Sequence, residues 1–206
     1  MNKTVEFFFD LGSPASYLAW TQLPGICARQ GATLCYRPML LGGVFQATGN
    51  ASPAMIPAKG RYMFTDLGRF ASRYGVPFGL PPGFPINTLT LMRGVMGTQL
   101  HSPTRFEALL EALFNGLWAQ RRNLGDQAVL DEVLSHAGFD PQAFHALAAD
   151  AEVKAALKQA TEEAVARGVF GAPTCFVGEA MFFGQDRLDF VEEALRQAGH
   201  TKALHP

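Results

Sequence analysis

The sequence predicts an α/β domain: one small sheet interrupted by a large all-helical insertion. Three observations lead there. Residues 4–37 read as strand, helix, strand. The stretch 45–150 is a run of helical patterns with no strand between them. From residue 153 onward the order becomes helix, strand, strand, helix. The economical division is 1–44 plus 151–206 for the sheet domain and 45–150 for the insertion.

Each element has a local reason. Residues 4–10 carry the apolar run Val5-Glu6-Phe7-Phe8-Phe9-Asp10 of a buried strand. Ser13 is a natural N-cap, and Pro14 suits the first helical position, where its missing N–H costs nothing. The helix runs toward Arg29, with a kink expected at Pro24 and a stop at Gly31. Thr33 to Arg37 is a second strand, paired in parallel through a right-handed crossover. Gly42-Gly43, Gly49-Asn50 and Pro53 predict an irregular loop, and Lys59 to Tyr74 a helix. Val76 to Pro85, rich in proline and glycine, is a further loop.

Asn87 is expected to cap a helix reaching Gln99. Phe106, Leu109, Leu110, Leu113, Phe114 and Leu117 keep the i, i+3, i+4, i+7 spacing of an amphipathic helix. Val129 to Ala137 follows, then a helix capped at Asp140-Pro141, then Val153 to Arg167 stopped by Gly168. Thr174–Val177 and Ala180–Phe183 flank Gly178-Glu179 as a hairpin. Asp186 to Ala198 closes the chain, with Leu188, Val191 and Leu195 inward.

Composition narrows the function. The chain has 206 residues, 48% of them hydrophobic, and a net charge of −1. No basic run favours nucleic acid or an anionic membrane. No stretch approaches the roughly 18 apolar residues of a membrane span. The Phe-rich start is too short for a signal-peptide core, so a cytoplasmic location is expected. Three cysteines, Cys27, Cys35 and Cys175, form no Cys-x-x-Cys and point to a reducing compartment. Each reads as a small buried hydrophobe. The five histidines lack metal-ligand spacing, and no phosphate loop or dinucleotide fingerprint occurs.

The chemically informative stretch is Ser13-Pro14-Ala15-Ser16. A strand that turns directly into a helix places these residues at the helix N-terminus. Unpaired N–H groups and the positive dipole end there stabilise an anion, a thiolate included. At Gly171-Ala172-Pro173-Thr174 a proline stands just before an apolar strand. A cis Pro173 would present the backbone of Ala172 to a peptide-like ligand; a trans proline in a loop is the plainer alternative.

Phe7 through Leu18, Gly49-Asn50, Ala58 to Tyr62, Val169 to Thr174 and Phe183 to Leu188 together resemble one family. It comprises the 2-hydroxychromene-2-carboxylate isomerases and kappa-class glutathione transferases, relatives of the bacterial disulfide oxidoreductases. The resemblance spans nearly the whole chain in the same order. It implies a thioredoxin-like fold with a helical insertion, glutathione as cofactor, a small aromatic substrate, and a homodimer, the common state of such relatives. The Cys-x-x-Cys place of thioredoxin-like folds here holds two serines, so any reactive sulfur arrives with a ligand.

By that resemblance, Ser13 hydrogen-bonds the glutathione sulfur and acts as the catalytic residue. Ala172, beside Pro173, pairs with the cysteinyl backbone. Gln185 and Asp186 hold the γ-glutamyl end, and Asn50 and Lys59 lie near the glycyl carboxylate. Where aromatic-pathway isomerases are expected to carry basic residues and a tyrosine, this sequence has Phe45, Met55-Ile56 and Phe84. With Arg61, these are the substrate-side candidates. Tyr17 and Trp118 are candidates either for the aromatic pocket or for plain core packing. Ser13 and Asp186 equally suit helix caps, and Lys59 a solvated charge.

The implied reaction is a cis–trans isomerisation by reversible thiolate addition. A free thiol with pKa about 8.5 is only ~3% ionised at pH 7, so the site must favour the thiolate. A kappa-like transferase and a non-catalytic glutathione- or peptide-binding module are the competing readings. A disulfide oxidoreductase would require Cys175 as a lone reactive thiol.

Overall fold

The computed structural model describes residues 3–200. Strand β1 (Thr4–Phe9) leads through a four-residue turn into α1 (Pro14–Gln30) and then β2 (Thr33–Pro38). After β2 come α2 (Leu41–Thr48), α3 (Pro57–Tyr74), α4 (Leu89–His101), α5 (Phe106–Phe114), α6 (Gln127–His136), α7 (Pro141–Ala149) and α8 (Ala151–Ala166). The hairpin β3 (Thr174–Val177) and β4 (Ala180–Phe183) precedes α9 (Leu188–His200). Among the described residues the sheet has four strands in the order β2-β1-β3-β4. β1 is parallel to β2 and antiparallel to β3, with Phe7 opposite Tyr36 on one side and Cys175 on the other.

Alternation along β1 divides the core. Val5, Phe7 and Phe9 face the main cluster, which includes Leu18, Phe114 and Trp118. Phe8 faces the other way, toward Met39, Val44, Ala164, Val169 and Phe176. Glu6 holds Arg167 in a two-bond pair at 2.9 and 2.8 Å, and the Arg167 guanidinium lies 4.0 Å from the centre of the Phe176 ring. The sheet and the middle helices share the main cluster. Gly94 lets α4 meet α7 closely, because a Cβ there would stand 2.0 Å from the Phe144 ring.

Most predicted elements appear. Ser13 caps α1 by accepting from the Ser16 N–H at 3.1 Å, and Gly31 ends it at φ 60°. Three expectations are corrected. Gly42-Gly43 is not a loop but part of α2: apolar Leu41, Val44 and Phe45 keep helical spacing, and Gly43 suits close packing, since a Cβ would lie 3.1 Å from Thr161. Asn87 is one residue too early to cap α4, although its Oδ1 accepts from the Leu89 N–H at 2.9 Å. Asp186 does not cap α9 but sits within a 3-10 turn, Gln185–Arg187, that precedes it.

Candidate active site

The turn between β1 and α1 is held from below by the helices of the middle region. Trp118 Nε1 donates to the Leu11 carbonyl at 2.8 Å, and the Leu11 N–H reaches Met92 Sδ at 3.3 Å. Trp118 sits where α5 widens, with the Gln120 N–H bonded five residues back to Asn115. Asp10 is buried and binds three segments. One carboxylate oxygen accepts from the Gly12 N–H at 2.8 Å. The other accepts from the Leu41 N–H at 2.8 Å and the Thr88 hydroxyl at 3.1 Å. Burial pushes the Asp10 pKa up, and these three donors oppose the shift.

On this support Ser13 lies at the N-terminus of α1, 4% exposed. Its Oγ accepts from the Ser16 N–H and donates to the Ala172 carbonyl at 2.8 Å, across 159 residues of sequence. The Ala172–Pro173 bond is cis. Pro14 has no N–H and Ser16 has spent its own, so among the described residues the Ala15 N–H is the open donor of the first turn.

Above Ser13 opens a cleft of about 730 Å³. It brings together Ser13, Phe45, Asn50, Lys59, Phe84, Ala172, Gln185 and Asp186. Lys59 makes no ion pair among the described residues, and its only neighbours in charge along the cleft are Asp66 and Asp186. Asp66 pairs with Arg69 at 3.2 Å, and Asp186 with Arg187. Gln185 is buried, and its side-chain amide has no partner among the described residues; its carbonyl accepts from Tyr74. Asn50 is already committed, donating to the Phe170 carbonyl at 2.8 Å and accepting from the Ala51 N–H at 2.8 Å.

Met55, Ile56, Arg61 and Pro173 do not line the cleft. Met55 and Ile56 precede α3 and point outward, 72% and 50% exposed. Arg61 is displaced by helical geometry. Lys59, Tyr62, Met63, Asp66 and Leu67 follow i, i+3, i+4, i+7, i+8 along the cleft face of α3, and a residue at i+2 faces elsewhere. That same stripe was readable in the sequence and would have found Tyr62, Met63 and Asp66. Phe170 and Phe183, 4.6 Å apart between ring centres, were missed because only the hairpin brings them together. Gly171 makes room, since a Cβ there would lie 2.7 Å from the Phe183 ring.

Tyr17 and Trp118 are core residues, 1% and 0% exposed. Tyr17 donates to the Pro77 carbonyl at 2.7 Å. Cys175 is buried, and burial pushes its thiol up to about 12. No cysteine lines the cleft.

Residues 4–196 match the family described as DSBA-like thioredoxin domain. A 2-hydroxychromene-2-carboxylate isomerase of Sphingobium xenophagum is 33% identical over 198 residues, covering 95% of this chain and 99% of that protein. This chain belongs to the isomerase and kappa-transferase branch of the DSBA-like thioredoxin domains. Within the branch, human glutathione S-transferase kappa 1 is 28% identical over 205 residues, 94% of this chain and 91% of the relative. A solved 2-hydroxychromene-2-carboxylate isomerase superposes with a TM-score of 0.86 at 29% identity, over 97% of this chain and 98% of that one. The expected thioredoxin-like fold with its many added helices is therefore the observed one. Among the described residues no helix is long and apolar enough to cross a membrane.

Proposed function

We propose that this chain is a glutathione-dependent cis–trans isomerase of 2-hydroxychromene-2-carboxylate or a similar aromatic-pathway intermediate. The observation that carries the reading is the Ser13–Ala172 hydrogen bond at the mouth of α1, beneath an aromatic cleft without a cysteine. The donors and acceptors fit a peptide-like thiol: the Ala15 N–H, the Ala172 carbonyl, a Gln185 amide without a partner among the described residues, and Lys59 and Asp186 for groups of opposite charge. When bound, glutathione supplies a thiolate whose reversible addition to a conjugated C=C makes that bond single and free to rotate.

The residues have distinct tasks. The Ser13 hydroxyl turns from the Ala172 carbonyl to donate to sulfur, while still accepting from the Ser16 N–H. The Ala172 carbonyl is then open to a ligand N–H. A hydrogen bond to a charged group is worth roughly 1.5–3 kcal/mol, and part of it lowers the thiol pKa by about one to two units. Phe45, Phe84, Phe170 and Phe183 supply ring faces for an aromatic substrate. Asn50, already spent on Phe170, positions the cleft wall. Three free cysteines fit a reducing, cytoplasmic setting, and a homodimer is the assembly we assign by analogy.

One observation favours a second reading. Among the described residues Lys59 is the one cation lining the cleft, so holding the glycyl end of glutathione leaves no other there for a substrate carboxylate. A kappa-like transferase acting on an uncharged electrophile has no such need. The test is to follow the ultraviolet spectrum of 2-hydroxychromene-2-carboxylate with the protein, with and without glutathione. Acceleration that requires glutathione supports the isomerase. A stable conjugate with other electrophiles, and no acceleration here, replaces it with the transferase.

A further inference from the structure

A second cavity, about 780 Å³, lies on the opposite side of α2 from the cleft. Helical periodicity divides this short helix. Leu41 and Phe45 face the cleft, whereas Gly43 and Ala47 face the second cavity, a groove closed by α4 and α8. Its floor is aliphatic, formed by Leu40, Leu89, Leu157 and Val165, and no aromatic ring lines it. Arg93 of α4 borders this floor half-buried, with no hydrogen bond or ion pair among the described residues. Lys154 of α8 is likewise unpaired, and Lys158 is matched by Glu162 at 3.5 Å. The groove thus carries two unmatched positive charges beside an apolar trough of ligand-binding size.

We infer that this groove binds a small aliphatic monocarboxylate, its chain along the Leu40–Leu157 floor and its carboxylate on Arg93. A half-buried guanidinium without a partner is a standing cost, and a carboxylate meets it with two parallel hydrogen bonds. The aliphatic lining favours a flexible hydrocarbon chain over a flat ring. The floor and the charge sit side by side, as an amphipathic anion requires.

Decanoate is the probe, titrated calorimetrically into the whole protein. Saturable binding is expected. Arg93→Gln should weaken it at least about tenfold, and each methylene removed from the probe should cost about fourfold. Ala155→Trp, an exposed position on the groove wall, should abolish binding by filling it, with circular dichroism confirming the fold. Saturating glutathione should leave the affinity unchanged. Wild-type affinity in both variants would overturn the proposal, as would competition by glutathione, which would move decanoate to the cleft. A dimer in sedimentation velocity that Ala155→Trp dissociates would also overturn it, giving the groove to a second copy of the chain.

Discussion

Two cavities share α2 and differ in what they can do. The cleft is built where backbone is irregular: the β1–α1 turn, the segment before α3, and the Gly171–Pro173 approach to β3. Irregular backbone leaves N–H and C=O groups outside the helix and strand ladders, so the cleft offers a directed donor at Ala15 and, at Ala172, a carbonyl held by the Ser13 hydroxyl alone. The groove is walled mainly by three helices whose interior backbone is already hydrogen-bonded. It has only side chains to offer, an aliphatic floor and a charged rim. The difference teaches that size does not mark the reactive cavity. The two are close in size, about 780 and 730 Å³, and both touch helix starts. On the groove side the N–H groups of Leu40 and Leu89 are taken by Thr161 and Asn87. At the start of α1, by contrast, the Ala15 N–H has no partner among the described residues and can stabilise an anion in place.

The comparison can be broken most directly at Ser13. Ser13→Ala removes the donor to sulfur and should cut glutathione-dependent turnover about 10- to 100-fold. Decanoate binding in the groove should be unaffected. Equal loss in both assays would mean that the two cavities are not independent.

Asp10→Asn comes next. An amide in place of this carboxylate turns one acceptor into a donor facing other donors. The expected loss is about 1–3 kcal/mol of stability in a urea titration. Burial raises the Asp10 pKa, so its contribution to stability falls as pH rises from the ordinary carboxylate value through the folded one. Glu6 runs the opposite way. Its hydrogen bond to Arg167 holds its pKa low, so its contribution is present above the ordinary value and lost as pH falls through the folded one. Glu6→Gln should flatten the acid limb of the stability curve and Asp10→Asn should steepen it. The same limb in both variants would contradict these assignments.

Lys59→Ala sharpens the cleft side. An exposed ion pair is worth about 0.2–1 kcal/mol, so glutathione affinity should weaken by about fivefold at most, and less in high salt. The smallest effect is expected from cysteine alkylation at neutral pH. Burial pushes Cys27 up to about 11 and Cys175 up to about 12, leaving little thiolate to react. Retained activity after iodoacetamide is the predicted result; its loss would return Cys175 to the mechanism.

The sequence exposed the parts of this architecture that depend on neighbours in the chain. Ser13 and Pro14 announce the start of α1, Gly31 its end, and Gly178-Glu179 the hairpin, because caps and turns are local chemistry. Sequence misread Gly42-Gly43, where packing of α2 on Thr161 overrides glycine's weak helix propensity. It offered no sign of the Asp10 carboxylate's links to Leu41 and Thr88, which lie 31 and 78 residues away. Arg61 is excluded from the cleft by helical phase, whereas Tyr62, one residue on, has the phase that lines it. Long-range juxtaposition decided the glycine pair and the Asp10 links, and helical phase, a local property, decided Arg61 and Tyr62.

The central claim is that the turn at Ser13 stabilises a thiolate brought by glutathione. The most direct test is the ultraviolet absorbance of the thiolate, titrated against pH with glutathione bound to the wild type and to Ser13→Ala. The account predicts a thiol pKa about one to two units below the free value of about 8.5 in the wild type, and a return toward it in the variant. Titration at the free value in both proteins would contradict it.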